Sequence, residues 1–418
     1  MKKSVLLIIA LILLSVFTSC KNQKETVTPE ELCFDIQCIQ IDISHSAMKS
    51  LYNPEPFEQL KQDVMDGKVD RLECIFRLQK IINNYHVAHL ALSQQPEDQT
   101  AQILMPLQFY SFEDGYRVFI TDKKYAKYLG WKLKEMAGLP VEQARDKIVD
   151  YYSYETPSAA NRLLERELNF YQLKHAGLLD KRGRLKVVLE SPDGKLKAIS
   201  FKKITSSKMK RFYLYPEKGL PYHPYAVNKN YGILSCKERR TLYIPYKSCF
   251  GIPEYPITEL FSDMKKELQT GLYDTVVFDI RYNGGGMPRE AIVFRHLFYD
   301  NREEFNKCNL AIVTSGWTFS AATWFLNDFL DVFPKTVIFG EETGQAVFNY
   351  TYVMPYALRK LNCSFIFPQV IDDNPVLQAR AQDIYRGTMP DVEVHERYED
   401  YMNGEDTIYN AIYEYFQK

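Results

Sequence analysis

The chain is poor in paired cysteines, in surplus charge of either sign and in repetition. Eight cysteines are scattered over 418 residues with no C-x-x-C among them, which argues against a zinc ribbon or a thioredoxin-type redox site. Lysine plus arginine number 52 against 53 aspartates and glutamates, a formal net charge of -1. A chain with no basic surplus has nothing to drive binding to a polyanion, so no nucleic-acid partner is expected. There is no internal repeat, no low-complexity tract, no G-x-G-x-x-G and no phosphate-binding loop ending in Lys-Ser/Thr.

One long apolar run is present, and it lies at the start. "MKK" is followed by "SVLLIIALILLSVF" and then "TSC". A basic segment, a short apolar core and small residues form a secretory leader, too short and wrongly flanked for a comfortable membrane span. Ending at Cys20, it resembles a bacterial lipoprotein signal. That implies residues 1–19 as leader, lipidation of Cys20, and a partner membrane reached through a lipid anchor in the bacterial cell envelope. Polar residues 20–32 read as a tether. In an oxidising compartment Cys33 and Cys38 form a candidate short disulfide, and the remaining cysteines read as small buried apolar groups.

With 46% apolar and 25% charged residues the rest is ordinary globular chain, long enough for two or three domains. Residues 33–105 are mostly helical in pattern. Leu72, Ile75, Leu78, Ile82 and Tyr85 step by three and four along one face. Asn83-Asn84 then favours a turn, and "VAHLAL" reads as extended. Residues 106–203 change texture: "YRVFIT", "LKVVLE" and "LKAISF" read as strands, "VEQARDKIV" and the long "AANRLLERELNFYQLKHAGLL" as helices. From 204 to 418 strands alternate with helices. "RTLYIPY", "TVVFDI", "NLAIVT" and "TVIFGE" are buried strands; "ITELFSDMKKEL", "REAIVFRHLF" and "SAATWFLNDFL" are helices. That alternation predicts an α/β layer with largely parallel pairing.

Two segments could carry chemistry. "DIRYNGGG" ends a buried strand in Asp279, Arg281 and Asn283, then turns through three glycines into a helix. Glycines there permit positive φ and let N–H groups face an anion, though a plain tight turn needs the same residues. "SGWTFSAAT" joins a strand to a helix at Ser320. A serine at a helix start can be a nucleophile beside a free N–H, or only the N-cap that serine favours.

Taken together, "DIRYNGGG", "TSGWTFSAA" and "VIFGEETG", with the late "GTMPDVEVHERYEDYMNGED" and closing helix, resemble the C-terminal processing (tail-specific) and tricorn-core serine proteases. The likeness is specific over the last 180 residues or so. It implies an α/β crotonase/Clp-protease-like core (204–418), an N-terminal helical region (33–105) and a degenerate PDZ-like α+β module (106–203). It further implies a cofactor-independent serine peptidase acting on peptides or unfolded protein. By position in the motifs, Ser320 would be the nucleophile, and the N–H groups of Gly285 or Gly286 and of Ala321 the oxyanion hole.

A serine needs a base. One branch of the family uses a lysine where this chain has Gln345. The tricorn-like branch uses a histidine near the N-terminal helices, which maps onto His89 in "LQKIINNYHVAHLAL", with His86 as the other candidate. A buried structural histidine is the alternative reading of His89. A metal pair of His86 and His89 lacks further ligands, so no metal is expected. The group orienting the base would be Asp383 in "QDIYRGTMPD". Thr323, Gln345 and Ala88 depart from the family pattern and favour a second reading, a catalytically inactive peptide- or ligand-binding lipoprotein on the same fold. A crotonase-type acyl-CoA enzyme is a third, which the secretion signal opposes.

Overall fold

The computed structural model describes residues 27–95, 98–372 and 374–417. The leader, and with it Cys20, lies outside the described residues. Among these, no helix is long and apolar enough to cross a membrane.

The C-terminal half is built on a six-stranded sheet. Its order is Leu234–Cys236, Thr241–Pro245, Thr275–Asp279, Asn309–Thr314, Val337–Gly340 and Val392–Glu393, with every pairing parallel except the first. Its central strands are apolar almost throughout because both faces are covered. On one face Ile244, Val276, Phe278, Ile312 and Ile338 pack under helices Ile257–Gln269, Pro288–Phe305 and Ala321–Val332. On the other, Tyr243, Val277, Ala311, Val313 and Phe339 meet Ile408, Tyr409 and Ile412 of helix Thr407–Phe416.

The N-terminal helices Pro29–His45, Glu55–Met65 and Arg71–Asn83 form a second core with part of the C-terminal half. The hairpin Asn349–Leu358/Cys363–Asp372 leaves the six-stranded sheet. Its second strand pairs antiparallel with Ala91–Gln94, Leu92 opposite Phe365. This excursion crosses the boundary expected at residue 204. It is what brings the N-terminal segment to the core.

Residues between the two form a seven-stranded antiparallel sheet around Gly115–Asp122, Lys132–Met136, Arg184–Glu190 and Leu196–Lys202, with helix Val141–Val149 against it.

Three expectations are corrected here. The tether ends early: helix Pro29–His45 begins inside it, through a capping box in which Thr28 Oγ1 accepts from Glu31 N–H and Glu31 accepts from Thr28 N–H, with proline at the first helical position. The long helix expected after residue 158 is broken into Pro157–Asn161, a 3-10 turn Leu163–Glu165 and Phe170–His175. There Arg162 and Glu165 are pulled inward as a buried ion pair, and Asn169 caps a fresh start by accepting from Tyr171 and Gln172 N–H. Cys33 and Cys38 are both free thiols. They lie five positions apart on one helix, roughly 7.5 Å along its axis and on different sides, beyond disulfide reach.

Candidate active site

Ser320 ends a tight connection between strand Asn309–Thr314 and helix Ala321–Val332. Thr318 N–H donates to Ser315 O at 2.8 Å, Thr318 Oγ1 donates to Ile280 O at 3.0 Å, and Phe319 N–H donates to Asn283 O at 3.0 Å. Asn283 fastens this loop to the glycine turn. Its Nδ2 donates to Tyr246 O and its Oδ1 accepts the Gly285 N–H at 2.9 Å.

Ser320 takes φ 59° and ψ -128°, a conformation that costs a non-glycine residue of order 1–3 kcal/mol. A serine acting as N-cap has extended backbone and accepts from the N–H two or three residues on. Ser320 makes no such bond. Its Oγ instead lies 3.1 Å from His89 Nε2.

His89 reaches this point from the turn between helix Arg71–Asn83 and strand Ala91–Gln94. It is buried, and its Nδ1 lies 2.7 Å from Tyr350 O at the root of the hairpin. A carbonyl only accepts, so Nδ1 carries the hydrogen. Nε2 is thereby left as the acceptor facing the Ser320 hydroxyl. Burial lowers the imidazole pKa to about 4 against the opposing bond to Tyr350 O, so His89 is neutral at neutral pH and able to take a proton. His86 is exposed, packs on Tyr154 at 5.4 Å between ring centres and adopts φ 51° in the turn.

Gln345, at the position a lysine takes in one branch of the resembled proteases, is buried. Its Oε1 accepts from the Ser320 N–H at 2.6 Å, and its Nε2 donates to Asn349 Oδ1 at 2.9 Å. Thr323 Oγ1 lies 2.8 Å from Ser320 O and 2.9 Å from Gln345 Oε1. The two departures from the family pattern therefore bond to each other and to the backbone of Ser320.

Glu155, which sequence reasoning missed, accepts from Ala88 N–H at 3.0 Å and from Ala346 N–H at 2.9 Å. One carboxyl thus ties the neighbour of His89 to the neighbour of Gln345. Burial pushes its pKa up to about 8 against those two bonds. No spacing signal singles it out, because its partners are 67 and 191 positions away.

Two expected roles are corrected. Asp383 does not touch the base. It is exposed and accepts the Tyr385 N–H within its own turn, while the His89 nitrogen it was to hold is bonded to Tyr350 O. Gly285 is not a free oxyanion donor, because its N–H is bonded to Asn283 Oδ1. What position 285 supplies is space. At its φ of 93°, a Cβ there would lie 2.6 Å from Ser320 Cβ and 2.8 Å from Phe319 O. The N–H groups of Gly286 and Ala321 have no hydrogen-bond partner among the described residues, and Ala321 opens a helix, where such groups favour negative charge.

Asp279 and Arg281 lie behind the glycine turn. The buried Arg281 guanidinium bonds Asp279 at 2.6 Å, Asp406 at 2.8 Å and Glu396 at 3.0 Å. Ser315 Oγ donates to the Arg281 carbonyl. His223, Glu396 and Asp406 converge within 4.8 Å, but Arg281 already supplies the countercharge a cation would bring.

No family model matches the sequence, and no curated protein resembles it significantly. Solved structures do match its shape. Mature CPAF complexed with lactacystin overlays with TM-score 0.58 at 11% identity, over 93% of this chain and 98% of that one. Mature CPAF alone gives 0.57, also at 11% identity, over 93% and 97%. The photosystem II D1 C-terminal processing protease overlays more loosely, at 0.44 and 11% identity over 87% and 93%. The two CPAF overlays show the mixed α/β fold that the motif resemblance implied.

Proposed function

We propose that this protein is a serine peptidase whose nucleophile is Ser320 and whose base is His89. One observation carries the reading: the Ser320 hydroxyl, at the start of a helix it does not cap, meets the unprotonated nitrogen of a buried histidine at 3.1 Å. Structural, capping serines have no need of a strained backbone or of such a partner.

The chemistry follows from the positions. Ser320 Oγ attacks the carbonyl carbon of a peptide bond as its proton passes to His89 Nε2. The carbonyl π electrons move to oxygen, and that oxyanion is held by the Ala321 and Gly286 N–H groups. Collapse of the adduct expels the amine, which takes the proton from Nε2. Water, deprotonated by the same nitrogen, attacks the acyl carbon; the ester C–O bond breaks, the carboxylic acid leaves and Ser320 Oγ takes the proton back from Nε2. The Tyr350 carbonyl orients the imidazole, but as a neutral group it stabilises the imidazolium less than a carboxylate would. Lipid attachment at Cys20 and residence at the cell envelope belong to the same proposal and rest on the leader.

A fluorophosphonate probe tests the chemistry. Ser320 should be labelled in the folded protein, and labelling should vanish in Ser320→Ala and fall at least about 100-fold in His89→Ala. Well-folded wild-type protein that takes no label would overturn it. That result would favour the second reading, a peptide-binding lipoprotein, to which the lack of a carboxylate behind His89 points. Loss of fatty-acid labelling in Cys20→Ala checks the anchor.

A further inference from the structure

Arg166 has no ion-pair or hydrogen-bond partner for its guanidinium among the described residues. It lies over two rings, 5.0 Å from the centre of Trp317 and 5.6 Å from that of Tyr152. Other charges around it are already matched. Glu165 is paired with Arg162 and accepts from Trp317 Nε1, and Glu167 is paired with Arg211. A guanidinium lying over aromatic rings keeps its N–H groups for another partner, and they suit a carboxylate in a two-point bond.

Arg166 also borders two cavities. One, of about 630 Å³, is walled by Tyr110, Tyr225, Tyr282 and Trp317, and Trp317 is three residues before Ser320. The other, of about 330 Å³, reaches Ala88, the residue before His89. Tyr152 and Arg166 line both. The two cavities thus share the edge formed by Tyr152 and Arg166. Two open cavities that share an edge suit an internal stretch of chain more than a single chain end.

We propose that this cleft is a substrate subsite in which Arg166 binds an acidic side chain of a peptide, and the aromatic walls take its apolar neighbours. The subsite rests on the peptidase reading for its substrate, but its binding chemistry is separable from catalysis. Trp317 couples the two, since its ring lies beneath Arg166 and it belongs to the loop that sets Ser320.

The test is binding to full-length Ser320→Ala, measured by fluorescence anisotropy. The probes are labelled, N-acetylated, C-terminally amidated decapeptides of aromatic and aliphatic residues carrying one central Glu, or Gln in its place. A third peptide has Gln and a free C-terminal carboxylate. The Glu peptide should bind about tenfold or more tightly than the Gln peptide, as a charge-assisted bond provides. The preference should fall below about twofold in Ser320→Ala/Arg166→Gln and be partly restored by Arg166→Lys. Circular dichroism melts of both variants show whether the fold is kept. Equal affinity for Glu and Gln peptides, a preference that survives Arg166→Gln in folded protein, or a gain only from the terminal carboxylate would each overturn the subsite. Glu-selective binding without probe labelling would uphold the subsite and sink the peptidase; labelling without Glu selectivity would do the reverse.

Discussion

Ser320 and His89 stand 3.1 Å apart but are held by different means. Ser320 is placed by its own loop and by the glycine turn, through the Asn283 carbonyl and the Phe319 N–H, on the central strands of a parallel sheet. His89 is placed by a turn whose partners are remote: the Tyr350 carbonyl 261 positions away, and Glu155, which binds its neighbour Ala88. The serine half is backed by full charges around Arg281, the histidine half by neutral groups and one carboxyl of raised pKa. A nucleophile can be built by local chain geometry and a rigid sheet. Its base, arriving from another core, depends on the pairing of Ala91–Gln94 with the hairpin. Damage to the two halves should therefore look different.

Removing charge behind the serine half should have the largest effect on stability. Arg281→Met leaves Asp279 and Asp406 buried without their cation and Glu396 with His223 alone, and should cost about 3–5 kcal/mol in chemical denaturation. A loss below about 1 kcal/mol would mean the network is solvated and does not hold the glycine turn.

Glu155→Gln separates the halves more gently. An amide can satisfy one of the two N–H groups but opposes the other with its own NH₂, so a loss of about 1–3 kcal/mol is expected. Labelling should fall more than stability, because the turn carrying His89 is loosened. The pH dependence has a definite sign. The Glu155 carboxyl is raised to about 8 in the folded state, so its contribution is full at acid pH and is lost as pH rises from the ordinary carboxylate range through about 8. Glu155→Gln should lack that alkaline loss in melts taken from pH 5 to pH 9, and an unchanged slope would show that the carboxyl is ionised and solvated.

His89 has the opposite sign. Its pKa is lowered to about 4, so the neutral, proton-accepting form persists down to that value. The rate of fluorophosphonate labelling should hold on descending from pH 7 and decline near pH 4. A decline centred near 6.5, the ordinary histidine value, would show that the buried pair opens to water before it reacts.

The smallest effect concerns the serine half alone. Ser320→Gly removes the side chain from a φ of 59° and should raise stability by about 1 kcal/mol while abolishing labelling. An unaltered or lowered melting temperature would mean that the positive φ is not strained here and is no mark of function.

Much of the serine half was legible in the sequence because its contacts are short in range. The strands "TVVFDI" and "NLAIVT" are buried on both faces and therefore continuously apolar, and the glycine turn and Ser320 follow directly from their ends. Gly285 was legible as a residue but not in role. Whether its N–H points at a ligand or at Asn283 depends on a side-chain rotamer that no spacing encodes. The base was harder. Periodicity located helix Arg71–Asn83 and the turn after it, but not which of two histidines faces inward; His86 exposed and His89 buried is a consequence of the strand pairing that follows. Asp383 was proposed from its place in a motif, and its side chain was spent on its own turn.

What the sequence by itself determined was the alternation of strands and helices in the C-terminal half, its parallel core and the segment that presents Ser320. Hydrophobic period, glycine and helix-start signals act over neighbouring residues and survive without tertiary contact. What only the tertiary structure decided was the company Ser320 keeps. Its partner histidine, the glutamine replacing a lysine, the carboxyl bracing both and Arg166 beside Trp317 come from segments tens to hundreds of residues apart. Their meeting is set by packing of two cores against each other, and such packing selects among chemically equivalent residues that no local pattern tells apart.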